Sequence, residues 1–195
     1  MGQRGLTLPR PCRAERFIET YLTFTKGQCA GKPFKLEVWQ RGLLRRIYND
    51  LDEDGFRRIR TFYTSVPRKN GKTELAAAIA LFHLLSEGEK GADVVCAAKS
   101  RDQAKLVFNA ARIMVEQSPE LRSRVNVFKT SLEYKGNVLR TLSYDTKTAM
   151  GLNPSCVICD ELHVWEGEAG RDFFETLVSA QGARKQPLTF IITTA

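Results

Sequence analysis

The sequence predicts an α/β fold with a mostly parallel central sheet and flanking helices, and three observations predict it. The β-branched and aromatic stretch Ile59–Tyr63 passes through a Gly- and Lys-bearing loop, Thr64–Glu74, into the Ala-rich helical run Leu75–Leu85. Cys156-Val-Ile-Cys159 is a short run of small and apolar residues that ends in Asp160-Glu161. Such a run fits a strand covered on both faces, as in parallel sheets, better than the alternation of a half-solvated strand. Pro187–Ile192 is a third β-rich stretch, and it delivers Thr193 and Thr194 to its end.

The remaining elements follow in order. Residues 1–12, with two prolines and little apolar patterning, read as a flexible arm, and residues 13–24 as a short helix. From Leu36 to Tyr48, Leu36, Trp39, Leu43, Leu44 and Ile47 recur at helical spacing. Asn49–Gly55 is an acidic turn, and the first core strand is expected at 57–65. Ala92–Ala97 reads as a second buried strand, followed by a helix over 100–116 with Ser100 as its cap. Residues 123–144 alternate weakly around the turn signal Tyr134-Lys-Gly-Asn137, which predicts a hairpin or two edge strands. Asp145–Asn153 is a loop and Gly170–Ala180 a further helix bearing Phe173, Phe174, Leu177 and Val178.

A loop placed between strand and helix is suited to phosphate. Backbone N–H groups and the positive end of the helix surround a β-phosphate, Lys72 reaches the β- and γ-phosphates, and the Thr73 hydroxyl offers a Mg²⁺ ligand. Arg68, Lys69, Asn70 and Gly71 complete the candidate nucleotide-binding run. The full pattern has Gly six residues before the Lys, where this chain has Val66. An ordinary helix start with exposed lysines would read the same way locally. The two adjacent acids weigh against that: Asp160 is a candidate to hold Mg²⁺, and Glu161, pointing differently, to orient and deprotonate water. Thr193 and Thr194 arrive at the same sheet edge, where hydroxyls can touch a γ-phosphate or the attacking water, although two threonines after a strand also make a plain turn.

Weaker candidates stand beside these. Gln40, next to Trp39, is able to hydrogen-bond an adenine edge, or is simply a solvated side chain beside a packed indole. Arg101, at a strand-to-helix junction, and Lys147, in the loop before the acids, are candidate contacts to DNA phosphate or to a neighbouring subunit's nucleotide. His83, within an apolar helix, reads as structural. Cys156, Cys159 and His163 have a spacing that invites zinc, but strand alternation turns the two cysteines to opposite faces.

At 195 residues the chain suits one α/β domain. No stretch approaches the roughly 18 apolar residues of a membrane span, and the basic N-terminus has no adjoining signal-type segment, so a soluble intracellular protein is expected. Five cysteines, an odd number, read as reduced and packed. The formal charge of +8 is concentrated early: residues 1–60 hold 13 Lys/Arg against 7 Asp/Glu, the rest 17 against 15. A polyanion partner fits that imbalance, as does charge for solubility.

Together, Ser65-Val-Pro-Arg-Lys-Asn-Gly-Lys-Thr73, Val157-Ile-Cys-Asp-Glu161, Thr193-Thr194-Ala195 and Trp39-Gln40 resemble the large terminase subunit of tailed bacteriophages, in particular the HK97-type group, over about residues 13–195. In that group the first glycine of the loop is commonly absent. The resemblance implies a RecA-like P-loop NTPase of the ASCE class that binds ATP with Mg²⁺. Lys72, Thr73 and Asp160 would hold phosphates and metal, Glu161 would be the catalytic base, Arg68 would contact the γ-phosphate, Gln40 would lie on the adenine side, and Thr193 and Thr194 would form the coupling motif.

It further implies a ring, usually a pentamer, on the phage portal protein in the host cytoplasm, working with the small terminase subunit to drive double-stranded DNA into a procapsid. A C-terminal nuclease domain and further ATPase strands are expected outside these residues, making 13–195 a partial ATPase domain. A superfamily 2 helicase-like ATPase shares the paired acids and the threonine-bearing strand but needs a second RecA-like domain. A noncatalytic DNA- or capsid-docking module is the other alternative.

Overall fold

The computed structural model describes residues 11–143 and 151–195. Lys147 and residues 1–10 of the expected arm lie outside the described residues. One seven-stranded sheet organises the chain, in the order β1 (Thr61–Val66), β7 (Leu188–Thr194), β6 (Cys156–Asp160), β2 (Asp93–Ala98), β5 (Asn137–Ser143), β4 (Ser131–Tyr134), β3 (Asn126–Val127). The first five are mutually parallel, and β4 and β3 extend the sheet antiparallel. The predicted hairpin is β4–β5, and its two turn residues, Lys135 and Gly136, both have positive φ, the geometry that matches strand twist.

Helices cover both faces. On one lie α1 (Arg13–Tyr21), α2 (Val38–Asn49), α3 (Lys72–Leu85) and α4 (Arg101–Gln117), around a core that includes Phe34, Leu44, Leu75, Phe108 and Phe190. A one-turn α5 (Pro119–Arg122) follows α4. On the other face α6 (Gly167–Ser179) packs Phe173 and Leu177 onto Val95, Val157, Cys159 and Ile191. Cys156 and Cys159 fall in opposite cores, as strand alternation requires, and four of the five free cysteines are buried, with Cys29 exposed. Helix α3 is buried along nearly its whole length, which explains its uniformly apolar sequence. Among the described residues, no helix is long and apolar enough to cross a membrane.

Several boundaries differ from the sequence expectation for identifiable reasons. Helix α1 stops at Tyr21 rather than 24 because Thr23 pairs with Pro33 and the Phe24 N–H donates to Lys32 O at 3.0 Å. Its N-cap is Cys12, expected at the end of the arm but buried in a reciprocal cap: the Glu15 carboxylate accepts from the Cys12 N–H at 2.7 Å. Strand β1 starts at Thr61, not 57. Arg57 instead bridges to Leu51, and its buried guanidinium donates to Ile59 O at 2.9 Å, to Gln186 O and to Glu87. Glu87 also pairs with His83, whose Nε2 lies 2.9 Å from the Tyr48 hydroxyl, so His83 is a member of a buried polar cluster.

Candidate functional site

Because β1, β7, β6 and β2 are parallel, Val66, Thr194, Asp160 and Ala98 end on one edge of the sheet, where open α/β sheets gather ligands. The phosphate-type loop occupies 67–71 between β1 and α3. Its shape depends on two left-handed residues, Lys69 (φ 68°) and Gly71 (φ 72°), and on the Asn70 amide, which donates to Pro67 O at 3.1 Å and to Arg68 O at 3.4 Å. Val66 is no obstacle: it is the last residue of β1, its side chain is buried in the core, and its carbonyl accepts from the Ala195 N–H. Helix α3 begins at Lys72, one turn earlier than predicted, which puts Lys72 and Thr73 in its first turn.

Glu161 follows β6 in a left-handed conformation (φ 52°, ψ 49°), an uncommon backbone for a residue with a side chain. That bend separates it from Asp160. Glu161 turns back over β7 and receives four donors. Lys72 Nζ and the Thr194 hydroxyl reach Oε1, each at 2.5 Å; the Thr194 N–H at 2.8 Å and the Thr193 hydroxyl at 3.2 Å reach Oε2. Lys72 also donates to the Thr194 hydroxyl. Burial would raise the Glu161 carboxyl, but the hydrogen bonds from Lys72 and Thr194 outweigh it and hold the group down to about 2. Asp160 is the opposite case. Buried at the end of β6, it is pushed up to about 6 by burial and by the charge of Glu161, with Lys72 only partly offsetting them.

Lys72, Glu161, Thr193 and Thr194 are thus brought together, and Asp160 stands beside them. Gln40 is buried against the loop: a Cβ built on Gly71 would lie 3.7 Å from its Nε2, while its Oε1 caps α2 by accepting from the Glu37 N–H at 2.9 Å. Arg68, Lys69 and Asn70 are exposed on the loop and Thr73 is half-buried. Arg101 lies elsewhere, in a groove of about 540 Å³ that it lines with Lys105, Arg112 and Lys129. In the sequence His163 stands out only for its zinc-like spacing from Cys156 and Cys159. In the structure its Nδ1 is 2.5 Å from Thr193 Oγ1 and 3.3 Å from Glu161 Oε2. The signal available was its position two residues beyond Glu161, on the turn leaving the strand.

Comparison with known proteins identifies the family and the fold. Residues 38–195 match the family described as terminase large subunit, ATPase domain. The large terminase subunit of Enterobacteria phage HK97 is 35% identical over 191 residues, covering 93% of this chain and 36% of that protein. That of Lactococcus phage p2 is 29% identical over 139 residues, covering 67% and 25%. The chain therefore spans about a third or less of the length of these relatives. The crystal structure of the HK97 large terminase superposes with a TM-score of 0.79 at 32% identity, over 93% of this chain and 37% of that one. A point mutant of the Thermus phage P74-26 large terminase ATPase domain shares the fold at 19% identity, TM-score 0.64, over 82% of this chain and 65% of that one. The chain belongs to the terminase large subunit ATPase-domain family, and its sheet is the RecA-like sheet of that family.

Proposed function

We propose that this chain is the ATP-hydrolysing motor portion of a phage large terminase, turning over ATP with Mg²⁺ to move double-stranded DNA into a procapsid. The observation that carries the proposal is the single hydrogen-bonded cluster of Lys72, Glu161, Thr193 and Thr194 at the mouth of the phosphate-type loop. Lys72 and the loop N–H groups bind and orient the β- and γ-phosphates, with Gln40 behind Gly71 on the adenine side. Arg68, exposed on the loop, stabilises charge on the transferred phosphoryl group. Glu161 takes the proton from the attacking water once Lys72 turns to phosphate and releases a lone pair on Oε1.

Thr73 and Asp160 are the residues that would hold Mg²⁺. Their hard oxygens suit that ion, and the raised Asp160 carboxyl is a buried acid in want of a cation. Bound there, the ion would neutralise charge on the phosphates. Thr193 and Thr194 transmit the change at Glu161 into β7, which is hydrogen-bonded to both neighbouring strands. The cationic groove of Arg101, Lys105, Arg112 and Lys129 is the surface that would take DNA phosphates, reading no sequence. Lys147, as a basic residue offered to a neighbouring subunit, belongs to the same proposal, as do the pentameric ring, the portal protein, the small terminase subunit and residence in the host cytoplasm.

The test is Mg²⁺-dependent ATP binding and hydrolysis by the purified chain, with and without double-stranded DNA, beside Lys72→Ala and Glu161→Gln. Turnover that both substitutions abolish supports the reading. Absence of ATP binding by the wild-type chain would overturn it in favour of a noncatalytic docking module.

A further inference from the structure

His163 is half-exposed and belongs to no core, yet its position is determined by the backbone. The left-handed turn at Glu161 leads straight into a 3₁₀ turn over Leu162–Val164, and this reversal makes the side chains of residues 161 and 163 converge on Thr193 from the same side. The proton directions follow from the donor inventory. A carboxylate only accepts, so a hydrogen bond between Thr193 and Glu161 Oε2, 3.2 Å apart, uses the one proton of the Thr193 hydroxyl. While that bond stands, the hydroxyl offers His163 only lone pairs, and the contact of Thr193 with Nδ1 then requires the ring proton on Nδ1; in the other tautomer the ring would take the hydroxyl proton instead. The Nδ1–H tautomer thus gives a directed chain: His163 Nδ1–H to Thr193 Oγ1–H to Glu161 Oε2.

The two oxygens of Glu161 are consequently held by different means. Oε2 is held from the β7 side by the Thr194 N–H and by the Thr193 hydroxyl that His163 orients. Oε1 is held by the Thr194 hydroxyl and by Lys72, whose long stem lets it leave for a phosphate. We propose that His163 is a positioning residue: acting through Thr193, it locks Glu161 Oε2 so that Oε1 alone is the oxygen that becomes free to meet water. This rests on the hydrolysis reading above for its consequence, but the hydrogen-bond chain itself does not.

Two measurements test it. The chain contains two histidines, so side-chain ¹⁵N NMR resolves His163 with buried His83 as an internal reference. In the nucleotide-free chain His163 is expected to show the Nδ1-protonated pattern, lost in Thr193→Val while His83 is unmoved. A His163 spectrum of a free imidazole, indifferent to Thr193→Val, overturns the chain. In steady-state kinetics His163→Ala is expected to lower kcat by about 10- to 100-fold, the scale for a misplaced catalytic group, with the KM for ATP little changed. His163→Asn, whose amide nitrogen stands near the place of Nδ1, is expected to recover most of the loss. Unchanged kcat in His163→Ala, or equal losses in both variants, overturns the positioning role. Because the NMR comparison uses no nucleotide, it succeeds or fails independently of whether the chain hydrolyses ATP.

Discussion

Lys72 Nζ lies 2.5 Å from Glu161 Oε1, joining two residues 89 positions apart. One ammonium thus serves as counter-ion to the carboxylate in this arrangement and as the phosphate ligand in the proposed one. The two uses compete for the same few ångströms, which makes phosphate binding and release of the Glu161 lone pair one event.

Lys72→Ala is therefore expected to weaken ATP binding by about 10- to 100-fold, the equivalent of losing a charged hydrogen bond of about 1.5–3 kcal/mol. Titration with a fluorescent ATP analogue measures it, and unaltered affinity would sink the role given to Lys72.

Glu161→Gln keeps the size of the side chain and removes the base. ATP binding should persist while turnover falls by about 10²- to 10⁴-fold, the usual contribution of a general base. Single-turnover phosphate release separates the two, and equal turnover would reassign the base.

The buried Arg57–Glu87–His83 cluster at the opposite end of α3 predicts acid sensitivity of the fold. Burial alone would raise the Glu87 carboxyl, but His83 and Arg57 outweigh it and leave the group below its ordinary value of 4.5. A depressed acid stabilises the fold at pH above that ordinary value, and the contribution disappears as pH falls through the lower folded-state value. Urea unfolding between pH 3 and 7 should show wild-type stability falling on the acid side. Glu87→Gln should lose about 3–5 kcal/mol at neutral pH, because Arg57 is left buried without its partner, and should show a shallower acid slope. Parallel pH profiles would contradict this.

Gly170 is inside α6, where alanine would ordinarily gain about 0.5–1 kcal/mol over glycine. Here the added Cβ would fall 2.6 Å from the Trp165 carbonyl oxygen, so the clash wins and Gly170→Ala should destabilise by about 1–3 kcal/mol. A stabilised Gly170→Ala in urea unfolding would show that the turn before α6 yields easily.

What was legible in the sequence was what local periodicity encodes. The apolar run of β6, the helical stretch up to Leu85 and the hairpin at Lys135-Gly136 each have a short-range signature, and each is present, the helix starting one turn early at Lys72. The alternation that separates Cys156 from Cys159 was likewise readable from two positions. Contacts between distant segments were not. Arg57 looks like a strand residue in an Arg-rich stretch, and only Glu87 and Gln186, far along the chain, reveal why it leaves the sheet. Val66 looked like a flaw because the glycine pattern describes loop shape, and that shape is here supplied by Lys69 and Gly71. The link from His163 to Glu161 and Thr193 is illegible in the sequence because Thr193 is 30 residues away and on another strand.

Strand β7 lies between β1 and β6, pairing Ser65 with Thr193 and Asp160 with Ile192. It acts as a ruler. The strand that leads into the loop and the strand that ends in Asp160 stand two interstrand spacings apart, roughly 9.5 Å, a separation set by main-chain hydrogen bonds. Substitutions in the two cores beneath should accordingly alter how firmly the site stands while leaving its width unchanged.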